Sequence, residues 1–341
     1  MATVFVALSG GVDSSVAAAV LKDDGFDVVG GHITCWDGCE QGEERRDARR
    51  VAFHLGIPFL TFDLRREYRA RVFDSMVREY AAGRTPNPDV MCNREIKFGA
   101  FLERALRLGA DYIATGHYAR LERGGGIGLF EGADKQKDQS YFLWSLAKPQ
   151  LERSLFPLSR CTKSEVRRMA RQWRLPTAEK KDSQGLCFVG KVSFGDFLRE
   201  LLPRRPGPIV TADGTRIGEH DGLAFYTIGQ RHGLGIGGGA PYYVAAKQPE
   251  TDTLVVGVGP GDPVLYRKEI VVSQLNWISG SREGRYEVRI RYRQPKVAAV
   301  VEAGPWGVRV VFDEPQRGVA PGQSAVFYDG EQVLGGGIIE Y

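Results

Sequence analysis

The sequence contains no long hydrophobic run, and only five of its 341 residues are cysteine. A transmembrane helix needs about 20 consecutive apolar residues, so the lack of such a run excludes a helical membrane protein. Five cysteines in a chain of this length do not form the disulfide framework of a small secreted domain. No basic lead-in with a cleavage site precedes the first predicted strand. We therefore expect a cytoplasmic protein without membrane association, whose cysteines serve catalysis, metal binding or packing.

The composition is that of a globular protein, with 43% hydrophobic and 26% charged residues and a net charge of +4. A chain of this length exceeds what one hydrophobic core usually serves, so two or three domains are expected. Positive charge is concentrated in residues 151–182, which contain nine Lys and Arg residues and four acidic residues. Such a segment favours a polyanionic partner, although it also fits a solvated helix face.

The most informative stretch is residues 4–15, VFVALSGGVDSS, an apolar run that breaks into glycines and serines before a helical pattern. Residues 4–8 fit a buried parallel strand. Backbone amides in the glycine turn, together with serine hydroxyls, can converge on an anion at the N-terminus of the following helix. No Lys-Ser/Thr pair follows the glycines, which excludes a Walker loop. We interpret this stretch as a phosphate site that resembles the loop of ATP-pyrophosphatase enzymes.

Strands and helices alternate through the first part of the chain. The pattern predicts strands at 4–8, 28–33, 58–62 and 111–115, and helices at 13–22, 43–55, 64–82 and 95–108. This alternation is typical of a doubly wound parallel α/β sheet, which binds ligands beyond the carboxyl ends of its strands. Later, a capping-box pattern at 162–165 predicts a helix that runs to about residue 174. Spacings of four, four and three place Lys163, Arg167, Arg171 and Arg174 on one face of this helix, which is the candidate polyanion-binding face of the first domain.

The composition changes after the prolines at 203, 206 and 208, where short strands replace long helical patterns. Alternation of Val288, Ile290 and Tyr292 with arginines predicts a strand of a β-barrel. We therefore predict a catalytic domain over 1–203, a small central β domain over 204–262 and a C-terminal barrel over 263–341. Residues 233–238 match the pattern G-x-G-x-x-G, but no βα unit surrounds them, so we interpret them as a loop.

The cysteines differ in their surroundings. Cys92 follows a rigid turn that contains two prolines, and its predicted place at a helix N-terminus would favour the thiolate. Cys35 and Cys39 form a C-x3-C pair that could ligate a metal or an iron–sulfur cluster, but no further ligand lies nearby in sequence. We therefore interpret the pair as incidental thiols, and no metal site is predicted. Cys161 fits a packing role.

Several further motifs carry a resemblance to one family. They are NPDVMCN at 87–93, ATGHY at 114–118, KDQSY at 137–141, DSQGLCF at 182–188, IGQR at 228–231 and RYR at 291–293. Together with the phosphate loop they resemble the tRNA-specific 2-thiouridylases, which belong to the ATP-pyrophosphatase enzymes. The resemblance spans almost the whole chain in the same order.

The resemblance implies an ATP-dependent tRNA sulfurtransferase. Its chemistry is adenylation of the C2 carbonyl oxygen of the wobble uridine and replacement of that oxygen by persulfide sulfur, which yields 2-thiouridine, AMP and pyrophosphate. ATP and Mg²⁺ are then required, and the partners are tRNA and a persulfide-donating protein, either a cysteine desulfurase or a relay protein. The expected assembly is a monomer.

The resemblance also assigns residues. Cys187 would carry the persulfide, Cys92 would engage it through a transient disulfide with Cys187, and Asp89 would be the general acid/base. The nucleotide contacts would be Ala7, Leu8, Ser9, Gly10, Gly11, Val12, Asp13, Ser14, Ile33 and Gly116. The contacts with the target base and with tRNA would be Asn87, Pro88, Asp89, His117, Lys137, Asp138, Gln139, Arg291, Tyr292 and Gln323.

Two other functions fit parts of the sequence. A small-molecule ATP-pyrophosphatase, such as an amide-forming synthetase, would explain the loop but leave Cys92, Cys187 and the basic segment unused. An RNA-binding module with a decayed nucleotide loop is less consistent with the intact SGGVDS motif at 9–14. ATP–pyrophosphate exchange that depends on tRNA distinguishes the three.

Overall fold

The computed structural model describes residues 1–36, 39–181, 194–237, 240–280 and 283–340, with the backbone alone at 39–41 and 194. Among these residues, no helix is both long enough and apolar enough to cross a bilayer. The helices are α1 (Val12–Asp23), α2 (Cys39–Leu55), α3 (Arg65–Tyr68), α4 (Asp74–Ala81), α5 (Pro88–Cys92), α6 (Leu102–Arg107), α7 (Lys148–Glu152), α8 (Lys163–Gln172) and α9 (Phe194–Leu201).

The strands of the first two sheets are β1 (Thr3–Ala7), β2 (Asp27–Thr34), β3 (Phe59–Asp63), β4 (Tyr112–Ala114), β7 (Ser154–Leu155), β8 (Gly207–Thr211), β9 (Arg216–His220), β10 (Tyr242–Gln248) and β11 (Thr253–Val258). The third sheet contains β5 (Ala119–Glu122), β6 (Gly128–Glu131), β12 (Tyr266–Trp277), β13 (Gly284–Arg289), β14 (Val297–Gly304), β15 (Gly307–Arg317), β16 (Ser324–Asp329) and β17 (Gln332–Ile339).

The first sheet is parallel and has the strand order β3-β2-β1-β4-β7. Its order reverses between β1 and β4, because the chain first builds outward to β3 and then returns to the other side of β1. A crevice opens at such a reversal, beyond the carboxyl ends of the two strands. The predicted doubly wound sheet is therefore confirmed, and the predicted phosphate loop leaves β1 at the edge where such sheets bind ligands.

Both faces of this sheet are covered. Val4, Val6 and Leu8 are almost fully buried against α1 and α2 on one face. Phe5 points to the other face, where it packs with aromatic and aliphatic side chains from the helices between 65 and 107. The continuous apolar run of β1 is therefore explained by burial on both sides.

The two long helices predicted at 64–82 and 95–108 are interrupted in the structure. A π-helical segment, Arg69–Phe73, separates α3 from α4, and a longer one, Asn93–Phe101, separates α5 from α6. The second helical run also begins earlier than predicted, at Pro88, because the Asn87 side chain caps it. A Cβ on Gly99 would lie 2.8 Å from the Arg94 carbonyl oxygen, so the π-helical segment requires glycine there.

The last domain is a closed antiparallel barrel with the strand order β12-β15-β14-β13-β16-β17, in which β17 pairs back with β12. The predicted barrel is therefore confirmed. A feature that was not predicted is that β6 pairs with β17 through Gln332 and Phe130, and Val333 and Leu129. The hairpin β5–β6, which precedes residue 203, thus extends the barrel sheet and joins the first part of the chain to the last.

A separate four-stranded sheet, β10-β11-β8-β9, lies between these two parts in sequence. Its core contains Ile209, Val244, Leu254 and Val256, all fully buried. The exact domain limits at 203 and 262 stay a prediction.

Candidate nucleotide and thiolation site

The loop after β1 is closed by its own hydroxyl groups. The Ser14 hydroxyl lies 3.1 Å from both the Ser9 hydroxyl and the Gly11 carbonyl oxygen, and the Ser15 hydroxyl donates to the same carbonyl at 2.7 Å. Gly11 is the N-cap of α1 and has no side chain that could occupy the helix N-terminus. The first amides of α1 therefore remain available to an anion.

Two glycines allow close packing at this loop. Gly10 has φ +79°, and a Cβ there would overlap the Glu44 carbonyl oxygen. A Cβ on Gly116, which follows β4, would lie 2.8 Å from both the Asp13 carbonyl carbon and the Ser14 nitrogen. The loops after β1 and β4 therefore meet at the reversal of the strand order, where a nucleotide site was predicted.

Asp13 is the acidic residue of the loop, and two other segments hold its carboxylate. The Tyr118 hydroxyl donates to Oδ1 at 2.8 Å, and Lys163 Nζ donates to both carboxylate oxygens at 2.7 and 2.8 Å. Gln139 in turn fixes Tyr118, because its Oε1 accepts from the Tyr118 N–H at 3.1 Å. These contacts connect the loop with residues that lie more than 100 positions later.

A cleft of about 250 Å³ opens above the loop and is lined mainly by polar and basic side chains. Separate parts of the chain contribute to this lining. Lys181 is the last described residue before the gap at 182–193, and Tyr292 and Arg293 belong to the barrel domain. The lining residues are Ser9, Gly11, Val12, Asp13, Tyr118, Lys137, Gln139, Lys181, Tyr292 and Arg293. Positive side chains around amides at a helix N-terminus suit a polyphosphate.

The other residues predicted to contact nucleotide lie at the ends of neighbouring strands. Ala7 ends β1, and Ile33 lies near the end of β2 in register with Phe62. Leu8 is 1% exposed, and its carbonyl oxygen lies 3.0 Å from Nδ1 of the buried His32. The contacts of Ala7, Leu8 and Ile33 with a nucleotide stay predictions.

The proline-rich turn at 85–88 is held from the barrel domain. Gln323 Nε2 donates to the carbonyl oxygens of Thr85 and Pro86 at 2.8 and 3.3 Å. Asn87 then caps α5 by accepting from the Val90 N–H at 3.4 Å, with Pro88 in the first helical turn. The turn that resembles the catalytic segment of the family is thus fixed at both ends.

Asp89 lies in the first turn of α5 and is exposed. Surrounding protein atoms desolvate its carboxyl and raise its pKa, while the nearby Lys97 ammonium acts in the opposite direction. Because the residue remains open to solvent, we expect the rise in pKa to be limited. A carboxyl that retains its proton more readily suits a general acid/base.

Cys92 does not occupy the helix N-terminus that the sequence predicted. It is the last residue of α5, more than one turn after the N-cap, and is 8% exposed. The favourable effect of a helix dipole falls off within the first turn, so this argument for a thiolate is wrong. The error follows from the start of the helix, which the sequence pattern placed at 95 instead of 88.

The other cysteines are only partly described. Cys187 lies outside the described residues, as does most of its motif, so its pairing with Cys92 stays a prediction. Cys35 is buried after β2, whereas the side chain of Cys39 is outside the described set. Among the side chains that are described, no cluster of three or more His, Cys, Asp or Glu residues could hold a metal. Cys161 is half-buried, and burial raises the pKa of its thiol.

Several residues expected to contact tRNA hold loops of the protein itself. The buried Asp138 carboxylate accepts from the Gly132 and Ser140 N–H groups at 2.9 and 3.2 Å. The buried His117 Nδ1 lies 2.7 Å from the Thr115 hydroxyl, and burial holds the pKa of this imidazole well below its usual range. Their contacts with tRNA stay predictions.

Arg291 and Tyr292 are not on a strand, in contrast to the prediction, because β13 ends at Arg289. The Arg291 guanidinium donates to the Ile228 carbonyl oxygen at 2.7 Å and also to that of Gly318, and its burial lowers its pKa. Tyr292 packs against Phe142, with ring centroids 4.5 Å apart. Arg291 and Tyr292 are both half-buried, so the alternation of residue types does not correspond to alternating burial beyond the end of β13.

The capping box at Thr162 is present, and α8 follows it as predicted. The basic face predicted on this helix is, however, engaged within the protein. Lys163 contacts Asp13, the Arg167 guanidinium donates to the carbonyl oxygens of Ala178 and Lys180, and Arg171 pairs with Glu179 at 2.8 Å. The Arg171–Glu179 pair is exposed, so a tRNA-binding role for this face stays a prediction. Sequence reasoning missed Lys163 at the loop because 150 residues separate it from Asp13.

Three family models match successive parts of the chain. Residues 2–191 match the family model "tRNA methyl transferase HUP domain", residues 195–258 its PRC-barrel domain, and residues 267–339 an "Aminomethyltransferase beta-barrel domain". A solved 4-thiouridine synthetase–RNA complex with bound ATP aligns with a TM-score of 0.36 and 19% identity, over 59% of this chain and 49% of that chain. That likeness is too weak to support a conclusion.

Relatives that match the full length are more informative. The chain is 48% identical to "tRNA-specific 2-thiouridylase MnmA 2" of Geobacillus kaustophilus and 47% identical to its Bacillus subtilis counterpart, each over 99% of this chain and 94% of the relative. A Pseudomonas aeruginosa relative of the same name is 48% identical with the same coverage. Identity of this extent includes all three parts of the chain, which therefore belongs to the family of tRNA-specific 2-thiouridylases.

Proposed function

We propose that this protein is an ATP-dependent tRNA sulfurtransferase that converts the wobble uridine of certain tRNAs to 2-thiouridine. The observation that carries the proposal is the 47–48% identity with tRNA-specific 2-thiouridylases along 99% of the chain. The phosphate loop at the reversal of the strand order supports the ATP-dependent part of it.

ATP is the activating substrate in this proposal. Gly10 packs closely against Glu44, and Gly116 packs closely against Asp13 and Ser14. This close packing of the loop supports binding of the phosphates by the amides and hydroxyls of residues 9–14. Mg²⁺ would bind mainly through the phosphates of ATP. Asp13, the acid of the loop, is not assigned as a direct ligand, because both of its oxygens accept from Lys163. The metal would neutralise charge on the leaving pyrophosphate.

The uridine reacts in two steps. Its C2 carbonyl oxygen attacks the α-phosphorus of ATP and releases pyrophosphate, which converts a poor leaving group into AMP. A persulfide sulfur then attacks C2, and the C–O bond breaks with departure of AMP. A wobble base must leave its stack to enter an active site, and this costs least in a single-stranded anticodon loop.

Three residues are proposed to carry out these steps. Cys187 bears the persulfide, and its terminal sulfur becomes the 2-thio group. Cys92 engages the persulfide and forms a disulfide with Cys187, which a thiol reductant must open before the next turnover. Asp89 moves protons at the base, consistent with its exposed position and its raised pKa.

The partners in the proposal are tRNA and a persulfide donor, either a cysteine desulfurase or a relay protein. We also propose that the protein acts in the cytoplasm as a monomer. Lys137 and Arg293 at the cleft are candidates to meet the tRNA backbone, since phosphate contacts come mostly from Lys and Arg.

Exchange of labelled pyrophosphate into ATP tests the first step. The proposal expects exchange that requires a tRNA with uridine at the wobble position and does not require a sulfur donor. Exchange stimulated by a small carboxylic acid without tRNA would support an amide-forming synthetase instead. Tight tRNA binding without any exchange would support an RNA-binding module.

A further inference from the structure

Lys163 makes the closest contact of α8 with the nucleotide loop. Its ammonium group lies 2.7 and 2.8 Å from the two oxygens of Asp13, and the Lys163 side chain is only 15% exposed. Contact with both oxygens at a partly buried site differs from a surface ion pair, whose partners move freely in solvent.

The protein fixes Lys163 on three sides. Thr162 caps α8, so Lys163 is its first residue, and the Lys163 N–H donates to Asp134 Oδ2 at 2.9 Å. Further along the helix, Val166 and Ala170 are fully buried in the cluster that contains Val16 of α1. This packing fixes the position of α8, and therefore of Lys163, relative to α1.

The position of Asp13 creates an electrostatic problem for a phosphate site. A carboxylate in the first turn of α1 benefits from the helix dipole, but it repels an incoming polyphosphate. We propose that Lys163 is a positioning residue of the nucleotide site, which orients the Asp13 carboxylate and neutralises its charge so that the phosphates of ATP can approach. This inference rests on the proposed function, because it assumes that ATP is the ligand of the loop.

The main alternative for Lys163 is the tRNA-binding face that its helical spacing suggested. Its ammonium group is directed at Asp13, and the next two basic residues of that face contact Ala178, Lys180 and Glu179. The geometry therefore connects Lys163 with the loop, and the alternative becomes an outcome of the test.

A double-mutant cycle on the full-length protein tests this role. Lys163→Met keeps the length of the side chain without its charge, Asp13→Asn removes the carboxylate charge, and the third variant combines both. Arg168→Met is the matched control, because Arg168 is exposed on the same helix. The measurement is the dissociation constant of ATP in the presence of Mg²⁺, by calorimetry without tRNA or sulfur donor.

We expect Lys163→Met to weaken ATP binding roughly tenfold, the range of a lost hydrogen bond between charged groups. The same change in the Asp13→Asn background should cost less than about twofold, since no carboxylate then remains to be neutralised. Lys163→Arg should retain ATP binding, which keeps the inference testable if the methionine variant fails to fold.

Equal losses in both backgrounds, or no loss in either, would overturn the inference. An unchanged ATP affinity with a salt dependence of tRNA binding that flattens by about 0.7–0.9 in log-log slope would assign Lys163 to the tRNA instead. Because the cycle measures only ATP binding, it can fail while tRNA-dependent exchange by the wild-type protein still supports the proposed function. If the wild type does not bind ATP, both proposals fail together.

Discussion

In the proposed reaction, sulfur transfer depends on two single residues, Cys92 and Cys187. Replacement of Cys92 or Cys187 by serine is expected to abolish 2-thiouridine formation, because a hydroxyl group can neither carry nor engage a persulfide. The affinity for tRNA should remain nearly unchanged. The assay is chromatographic analysis of nucleosides after incubation with ATP, tRNA and a persulfide donor. Cys161→Ser is the control and should retain activity, whereas normal thiolation by either serine variant would remove that cysteine from the mechanism.

Gly116 has no side chain, and this allows the loop after β4 to approach the start of α1 closely. In Gly116→Ala the new Cβ would lie 2.8 Å from backbone atoms of Asp13 and Ser14, so the start of α1 must shift. We expect this overpacking to cost about 1–3 kcal/mol of ATP binding, measured by calorimetry. Gly124→Ala is the matched control, since nothing lies within 4 Å of its Cβ position. Equal ATP affinities of the two variants would contradict the close approach of the two loops.

The sequence could identify residues of the nucleotide site only where those residues lie close together in the chain. The SGGVDS motif indicated an anion site by its residue types, and the structure places these residues together at the end of β1. The contacts of Tyr118 and Lys163 with Asp13 join residues that are 105 and 150 positions apart. No local pattern indicates such contacts, because they depend on how helices pack.

At the scale of elements, a partly buried lysine connects β10 with the end of α4. This residue is Lys247. Its ammonium group donates to the Gly83 carbonyl oxygen at 2.9 Å, after the end of α4. Burial lowers the pKa of Lys247 to about 8. Between that pH and the usual pKa of lysine, the unfolded chain binds a proton that the folded chain does not, so stability increases as the pH rises.

This shift can be measured as a pH-dependent difference between two proteins. The free energy of unfolding of the wild type relative to Lys247→Met is expected to increase by about 1–3 kcal/mol between pH 7.5 and 10. Urea denaturation at several pH values gives this difference, and other titrating groups cancel in the comparison. A difference that stays constant with pH would show that Lys247 titrates normally.

The boundaries of elements were less predictable than their existence. Strands β1 to β4 and the helix after Thr162 lie where the apolar pattern and the capping box indicated, whereas the short edge strand β7 was not predicted. The π-helical segments were not predicted, since a period of 3.6 residues is assumed when a helix is inferred from spacing. The predicted start of the second helical run and the place of Cys92 were wrong for a different reason, because the N-cap at Asn87 was not recognised.

At the scale of the whole molecule, a buried charge cluster connects the β5–β6 hairpin and the residues after it with the barrel. Arg289 of β13 is 14% exposed and lies 3.2 Å from Glu131 and 3.7 Å from Asp138, whose side chains are 6% and 4% exposed. Arg289→Leu is expected to lower the free energy of unfolding by about 2 kcal/mol, because it removes the cation that Glu131 and Asp138 share, although Lys135 and Lys296 remain beside Glu131.

A surface ion pair on the same strand is the control for Arg289. Arg285 pairs with Asp313, and their side chains are 63% and 41% exposed. Arg285→Leu should change the free energy of unfolding by less than about 1 kcal/mol. Equal effects of the two substitutions in denaturation experiments would show that the cluster does not join the two parts of the molecule.

The architecture was predictable because each part of the chain has its own periodicity. Alternating strands and helices indicated the parallel sheet, and period-two runs indicated the barrel. The pairing of β6 with β17 was not predictable, since it joins residues about 200 positions apart and depends on where the barrel leaves an edge. Tyr292 and Arg293 line the phosphate cleft as part of the same arrangement.

The central claim is that this protein forms 2-thiouridine, and nucleoside analysis of tRNA from a strain that lacks its gene tests it most directly. The account predicts that 2-thiouridine at the wobble position disappears in the deletion strain. It also predicts that the nucleoside returns with the wild-type gene and does not return with the Cys187→Ser gene. Wobble 2-thiouridine at its normal level in the deletion strain, without a second gene of this family, would contradict the account.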